Sequence, residues 1–167
     1  MEKIINIAQY MANQYKEIAG EPIDEMKLHK LLYFAQRESL AITGEPLFNE
    51  KFEGWRYGPV CREIRAEYDF FDGTVSGDEA EISDRAAYII KNVIFEYGTL
   101  ASWKLSELSH KETSWINSRI GLTSEDKGNR ILKLEDIRED AKKIRPYDHI
   151  WDMYYDEFDD YEGENDR

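Results

Sequence analysis

The stretch between Pro22 and Pro46 limits the folds open to this chain more than any other. Asp24 is placed to cap a helix and Gly44 to end one, and the apolar side chains between them recur at steps of three and four residues. The set covers more than one face of the predicted helix: Leu28, Leu31, Leu32, Ala35, Ser39 and Ile42 on one side, widened by Tyr33, Phe34 and Leu40. A helix that is apolar on several sides must be buried on several sides, so the sequence predicts a central helix with others packed around it.

Helical spacing of apolar residues recurs along most of the remaining chain. It predicts helices near residues 4–19, 59–68, 83–97, 101–109, 135–145 and 150–158. Two short segments have the pattern of strands instead, at 48–57 and at 131–134. Pro59 suits the first position of the helix that follows the first of these, with Gly58 at the corner before it. We therefore expect a mainly α protein, a single compact domain of six or seven helices with a small β-hairpin or short strands near 48–57 and 131–134.

The charge of the chain is uneven. The net charge is −13, and residues 148–167 hold nine acids against one base, which leaves 26 acids and 21 bases, or −5, in the first 147 residues. We divide the chain accordingly into a domain at 1–146 and a C-terminal helix with an acidic tail at 147–167. The negative sign argues against nucleic acid as the main partner, since phosphate contacts need clustered Lys and Arg. The acidic, aromatic tail suits a basic partner, with Asp156, Glu157 and Phe158 as contact candidates, but it is also typical of a solubilising chain end.

Few residues offer catalytic chemistry. Cys61 falls near the start of a predicted helix, where the helix N-terminus lowers the pKa of a thiol, although a small buried side chain is the commoner role for such a cysteine. Glu25 and His29 are one helical turn apart, which supplies two ligands where a metal site needs three or four. The sequence contains neither a glycine-rich phosphate loop nor a nucleophile-elbow motif. We expect no enzyme activity, no metal and no cofactor.

Aromatic residues beside arginines suggest a surface that binds another protein, because this composition is typical of interface hot spots. Trp55 and Tyr57 alternate along the predicted strand and therefore face the same side. If that side is open, it forms a docking surface bordered by Arg56 and Arg37. If it is closed, the two rings belong to the core, and binding occurs elsewhere, at the 72–82 loop or the acidic tail.

Four stretches follow one another along the chain: KLHKLLYFAQ at 27–36, GEPLF at 44–48, GWRYGPV at 54–60 and LSELSH at 105–110, the last followed by Trp115. Together they resemble the Panacea domain, the family of SocA-like antitoxins and phage-associated GepA-like proteins. The residues that we expect to build the scaffold of such a domain are Leu28, Leu31, Leu32, Tyr33, Gly58, Pro59, His110 and Trp115. Ser114 stands where the family usually has proline, so the local turn is expected to differ. The resemblance spans about residues 4–145 and leaves out the acidic tail.

This resemblance implies an antitoxin that neutralises a protein toxin encoded beside it by binding the toxin directly, in some cases on a prophage. Some members of the family instead deliver the toxin to an AAA+ protease, and that alternative stays open. A third alternative, based on the tail, is an acidic phage-type protein that inhibits a host DNA-binding protein. The toxin is not identified by the sequence, and self-association is left open.

The place of the protein in the cell follows from what the sequence lacks. The chain has one cysteine and no charged-then-apolar leader, which indicates the cytoplasm. Its apolar runs are only a few residues long, so no membrane crossing is expected.

Overall fold

The computed structural model describes residues 1–78 and 81–144, which fold mainly into helices. The helices of these residues are α1 (Ile4–Ala19), α2 (Glu25–Thr43), α3 (Arg62–Glu67), α4 (Asp84–Tyr97), α5 (Ser102–Ser109), α6 (Thr113–Ser118) and α7 (Leu134–Lys142). Two small antiparallel hairpins accompany them, β1 (Glu53–Trp55) with β2 (Gly58–Val60) and β3 (Tyr68–Asp69) with β4 (Thr74–Val75). The expected compact, mainly α fold with up to seven helices and a small β element is confirmed.

Helix α2 is the centre of the fold, as its apolar faces predicted. Asp24 Oδ1 accepts a hydrogen bond from the backbone N–H of Lys27 at 2.8 Å, and Gly44 ends the helix with a φ of 77°. All residues from Lys27 to Leu40 are buried, because α1, α4, α5 and α7 pack on this helix. A side chain carried by α2 is therefore held on a rigid support.

The corner at Gly58 and Pro59 differs from the prediction. These two residues belong to strand β2, which pairs Glu53 with Val60 and Trp55 with Gly58, and the next helix begins only at Arg62. Pro59 is therefore not the first residue of a helix. It is tolerated in β2 because that strand lies at the edge of its sheet, where a missing N–H costs no ladder hydrogen bond.

The short strand predicted at 131–134 is reduced to a bridge against the other edge of β1. Ile131 pairs with Glu53, the N–H of Gly54 donates to Arg130 at 2.8 Å, and the N–H of Leu132 donates to Phe52 at 2.9 Å. Helix α7 begins at Leu134, so the last residue of the predicted strand is already helical. The bridge ties the loop before α7 to the hairpin.

The polar loop expected at 72–82 contains part of the β3–β4 hairpin. Tyr68 pairs with Val75, and Gly73 turns the chain with a φ of 65°. The dipeptide Asp72-Gly73 is typical of the tight turn in such a hairpin. The hairpin carries Phe70 and Phe71, which are 82% and 94% exposed.

The expectations for the C-terminal part of the chain are not tested by the described residues. The predicted helix near 150–158 and the tail at 147–167, with Asp156, Glu157 and Phe158, lie outside the described residues. Within residues 1–78 and 81–144, no helix combines the length and the apolar composition that a membrane crossing needs.

Candidate functional site

The turn between β1 and β2, residues 55–58, is anchored through its carbonyl groups. Trp115 in α6 donates from Nε1 to the carbonyl of Trp55 at 2.8 Å, and Ser106 in α5 donates from Oγ to the carbonyl of Tyr57 at 2.6 Å. Both donors come from helices that are distant in sequence from the turn. The backbone of the turn is thus fixed, which leaves its side chains for other contacts.

Gly58 occupies a position that suits no other residue. Its φ is 120°, and a Cβ at this position would lie 2.5 Å from Oγ of Ser109 and 2.6 Å from Cε of Lys30. The Lys30 side chain fills that space because its Nζ donates to the carbonyl of Pro59 at 3.1 Å. The Gly58–Pro59 pair therefore marks the place where α2 and α5 contact the hairpin.

Three of the four stretches that carry the family resemblance meet at this turn, and the stretch at 44–48 lies elsewhere, against Gln36. Residues 27–36 supply Lys30, residues 105–110 supply the two serines, and Trp115 follows them, while residues 54–60 are the turn itself. His110 stacks on Trp115 with ring centroids 4.0 Å apart. The four expected scaffold residues of α2 are fully buried, namely Leu28, Leu31, Leu32 and Tyr33.

A pocket of about 460 Å³, the aromatic pocket below, opens beside the turn. Apolar and aromatic side chains form part of its wall, and charged side chains form the rest. Its lining consists of Glu25, Met26, His29, Lys30, Trp55, Arg56, Tyr57, Val60, Arg65, Glu125 and Lys127. The predicted contact residues Trp55, Arg56 and Tyr57 are thus brought together at one concave surface.

Trp55 is partly buried among cations. The guanidinium groups of Arg62 and Arg65 lie 5.6 and 5.2 Å from the centroid of its ring, and Nζ of Lys127 lies 4.2 Å from it. Its Nε1 donates to Glu53 Oε1 at 3.0 Å. Cations near an indole face are attracted by the ring quadrupole, so these contacts hold the ring in place at the pocket wall.

Tyr57 and Arg56 form the outer part of the turn. Tyr57 is 52% exposed, and the guanidinium of Arg56 lies 5.0 Å from the centroid of its ring. Arg56 also pairs with Glu125 at 3.1 Å across the pocket rim. Of the two alternatives for this side, an open surface or a closed core, the open one therefore holds for Tyr57 and holds in part for Trp55.

His29 is held by hydrogen bonds at both nitrogens. Its Nδ1 accepts from the backbone N–H of Cys61 at 3.2 Å, and its Nε2 then donates to Glu25 Oε2 at 3.0 Å. Burial lowers the pKa of His29, and the histidine together with Arg65 lowers the pKa of Glu25. The pair is a structural contact, and no three His, Cys, Asp or Glu side chains in the described part of the chain are grouped as metal ligands would be.

Cys61 is fully buried just before α3. Burial, reinforced by a hydrogen bond from Sγ to Glu63 Oε2 at 3.1 Å, raises the pKa of its thiol to about 12. A thiol with this pKa is almost entirely protonated at neutral pH and is a poor nucleophile. The helix N-terminus does not activate it.

Lys30 is the site residue that the sequence interpretation missed. Its side chain is 1% exposed, and burial lowers its pKa from 10.5 to about 7, although Glu25 and Asp24 partly offset this effect. The available signal was a lysine within a helix predicted to be buried on several sides, since buried lysines are rare unless they are paired. Its contact with the pocket depends on a hairpin 29 residues further along the chain.

Arg37 does not border this surface, which corrects the prediction. It is 5% exposed and forms an interior cluster in which it pairs with Glu112, donates to Tyr97 Oη at 2.8 Å and stacks on Phe34 at 4.7 Å. Nothing near Arg37 in the sequence indicates Glu112, which lies 75 residues away. The guanidinium is buried because this distant carboxylate pairs with it.

Ser114, at the position where the family usually has proline, takes part in a buried network. Its N–H donates to Asp140 Oδ2 at 2.9 Å, and its Oγ lies 2.7 Å from Tyr33 Oη. Asp140 Oδ1 accepts a further hydrogen bond from the N–H of Thr113 at 2.7 Å. A proline at position 114 could not donate this N–H, so the serine adds a second backbone hydrogen bond between the start of α6 and Asp140 of α7.

Comparisons with known proteins agree with the resemblance. The model of the family described as "Antitoxin SocA-like, Panacea domain" matches residues 28–116. The chain is also similar to "Antitoxin SocA" of Caulobacter vibrioides (strain NA1000 / CB15N), with 51% identity over 39 residues, which are 23% of this chain and 21% of that protein. The match thus spans about a fifth of the relative's length. No solved structure matches the chain.

Proposed function

Because this chain belongs to the SocA-like, Panacea-domain family of antitoxins, we propose that it neutralises a protein toxin by binding it directly and catalyses no reaction. The Trp55–Gly58 turn and the aromatic pocket are the proposed contact surface. A basic or mixed-charge toxin is the expected partner, since the chain carries a net charge of −13. The tail at 147–167 is proposed to assist by electrostatic attraction.

The observation that supports this surface best is the contrast between the backbone and the side chains of the turn. The carbonyl groups of Trp55, Tyr57 and Pro59 each accept a hydrogen bond from α6, α5 or α2. Tyr57, in contrast, stays 52% exposed. A rigid backbone that presents an aromatic ring beside a pocket has a low entropic cost of binding, which is favourable for an anchor residue.

The test is co-expression with the small reading frame that adjoins the gene. Expression of that frame alone should arrest growth, and this protein should restore growth. Trp55→Ala combined with Tyr57→Ala should abolish the rescue, because removal of one hot-spot side chain costs about 2 kcal/mol, or roughly 30-fold in affinity. Purified protein should bind the purified toxin in a pull-down, and the double variant should not.

The matched control is Trp103→Ala. Trp103 is an exposed tryptophan of α5 with 69% of its surface accessible, and it does not line the aromatic pocket. Its variant should rescue growth as well as the natural chain does. Equal loss of rescue in both variants, or full rescue by the double variant, would remove the turn as the contact surface.

The half-life of the toxin distinguishes delivery to a protease from simple sequestration. A half-life that is unchanged when this protein restores growth indicates sequestration. A shortened half-life indicates delivery to an AAA+ protease. If the wild-type chain does not relieve the growth arrest, the proposed function itself is wrong.

A further inference from the structure

We propose that the aromatic pocket binds a carboxylate side chain of the toxin, with the amine of Lys30 as the group that receives it. The inference rests on the proposed antitoxin function and adds the chemistry of the contact. It follows from the charges that line the pocket, from the unused hydrogen-bond donors of Lys30 and from the shape of the surrounding wall.

The two acids of the pocket are already paired with arginines. Glu25 lies 3.0 Å from Arg65, and Glu125 lies 3.1 Å from Arg56. Each pair contributes no net charge, so the remaining charge of the lining comes from its lysines. The pocket is therefore a positive site on a protein with a net charge of −13.

Lys30 and Lys127 are the two remaining basic side chains, and the amine of Lys30 is protonated in about half of the molecules at neutral pH because its pKa is about 7. Among the described residues, neither has a carboxylate partner at ion-pair distance. Lys127 contacts the face of Trp55 at 4.2 Å, which places a cation at the pocket wall. An acidic group that enters here thus meets positive charge both at the wall and inside.

Lys30 has hydrogen-bonding capacity that the described residues do not use. An ammonium group has three donors, and Nζ of Lys30 makes one hydrogen bond, to the carbonyl of Pro59 at 3.1 Å. The side chain is 1% exposed overall but lines the pocket, so the pocket is the side from which an acceptor can approach its remaining donors. A carboxylate from a partner at that place would stabilise the charged form of the amine, which burial disfavours.

The remaining wall suits the stem of such a side chain. Met26 and Val60 give apolar contact, and Trp55 and Tyr57 add two aromatic rings. A cavity of about 460 Å³ is large enough for one long side chain and its neighbours. A glutamate or aspartate at an exposed position of the toxin is thus the occupant that fits both the charge and the shape.

The test uses peptides and needs no knowledge of the toxin. A displayed library of random peptides is selected on the full-length protein, and the peptides recovered should share an Asp or Glu. In a synthetic copy of one such peptide, exchange of this residue for its amide should weaken binding about tenfold, because a charge-assisted contact is lost. The same exchange should have no effect on binding to the Lys30→Met variant.

Lys27→Met is the matched control, because Lys27 is also a buried lysine of α2. Its Nζ contacts Tyr15 Oη at 3.1 Å and the carbonyl of Gly98 at 2.9 Å, and it does not line the pocket. This variant should show the same tenfold effect as the natural chain. If Lys30→Met does not fold, the test uses Tyr57→Ala instead. This variant must weaken the binding of the same peptides, since Tyr57 lies at the exposed side of the pocket.

Three results would overturn the inference. The first is recovery of neutral peptides, or an equal effect of the amide exchange on the natural chain and on Lys30→Met. The second is binding of sodium glutamate alone with no peptide, which would indicate a small-anion site. The third is growth rescue by Lys30→Met equal to that of the natural chain, which leaves the proposed function intact. Conversely, failure of rescue by the natural chain contradicts the function, whereas the peptide result stands by itself.

Discussion

The buried amine of Lys30 should make the stability of this protein depend on pH in a predictable direction. Burial lowers the pKa of Lys30 from 10.5 to about 7. Between these two values the unfolded chain binds one proton more than the folded chain, so the free energy of unfolding rises with pH across that window. Below pH 7 the amine is charged in both states, and the folded state carries the whole cost of the buried charge.

The size of this effect follows from the pKa difference. Each pH unit well inside the window corresponds to about 1.4 kcal/mol, and the slope is half of that at pH 7 itself, so the rise between pH 7 and pH 9 is about 2 kcal/mol. For a chain of this length that corresponds to roughly 4–8 °C in the unfolding temperature. Lys30→Met removes the titrating group and keeps a stem of similar size, so its own stability should lack this contribution.

The assay is thermal unfolding of the natural chain and of Lys30→Met at a series of pH values. In addition to burial, Lys30 lowers the pKa of His29 and of His110, and both histidines are largely neutral above pH 7, so the difference between the two unfolding temperatures reports on Lys30 between pH 7 and pH 9. The variant should be the more stable protein at pH 6, and its advantage should shrink as the pH rises toward 9. Carbon-13 NMR of the lysine ε-carbons gives a second reading, since the resonance missing from the variant should titrate near pH 7.

A constant difference between the two proteins from pH 6 to pH 9 would refute this reasoning. So would a Lys30 resonance that titrates near the usual value of 10.5. In either case the amine would be solvated in the folded protein, and Lys30 could not serve as a buried receptor for a carboxylate.

Three further predictions concern stability and reactivity. Gly58→Ala should lower the free energy of unfolding by about 2–3 kcal/mol in urea titrations, because its φ is 120° and two side-chain atoms lie within 2.6 Å of a new Cβ. Gly20→Ala, with a φ of 77° and nothing within 4 Å, should cost only about 1 kcal/mol. Cys61 should react with iodoacetamide at pH 8 about 10³-fold more slowly in the folded protein than in urea, since burial raises its pKa to about 12, and rapid labelling of the folded protein would contradict this. Asp140→Asn should cost about 2–4 kcal/mol in calorimetry because two backbone N–H groups lose a charged acceptor, whereas the exposed Glu139→Gln should change little.

Local signals in the sequence were sufficient to predict the central helix. A cap at Asp24, a glycine at position 44 and apolar side chains at steps of three and four define α2 without any knowledge of the rest of the chain. Tertiary contacts decided the cases in which the prediction differed from the structure. Gly58 and Pro59 suit the start of a helix as well as an edge strand, and donors from α2 and α5 favour the strand.

The candidate site was likewise predicted only where local signals in the sequence determine it. Trp55, Arg56 and Tyr57 are adjacent in the sequence, and their aromatic and arginine composition indicated a common contact surface, although Arg56 and Tyr57 lie in the turn and not in the strand that was expected. The rest of the pocket lining could not be predicted from the sequence, because Lys30 and Lys127 come from parts of the chain that are far from the turn in sequence. Arg37 shows the opposite case, in which a distant carboxylate places an arginine in the interior.

The geometry of the turn separates what the family pattern fixes from what it leaves free. In the stretch GWRYGPV, Gly58 is fixed by the side chains of Lys30 and Ser109, whereas the side chain of Arg56 lies at the outer part of the turn beside Tyr57 and Glu125. Carbonyl groups of this stretch accept hydrogen bonds from Lys30, Ser106 and Trp115, so other parts of the family pattern form a rigid support for the turn. The pocket rim is different, because Glu125 and Lys127 lie outside all four stretches. Because the turn is held by other elements, a change of the rim charges would leave the fold intact, and selectivity for one toxin is expected to reside in those charges.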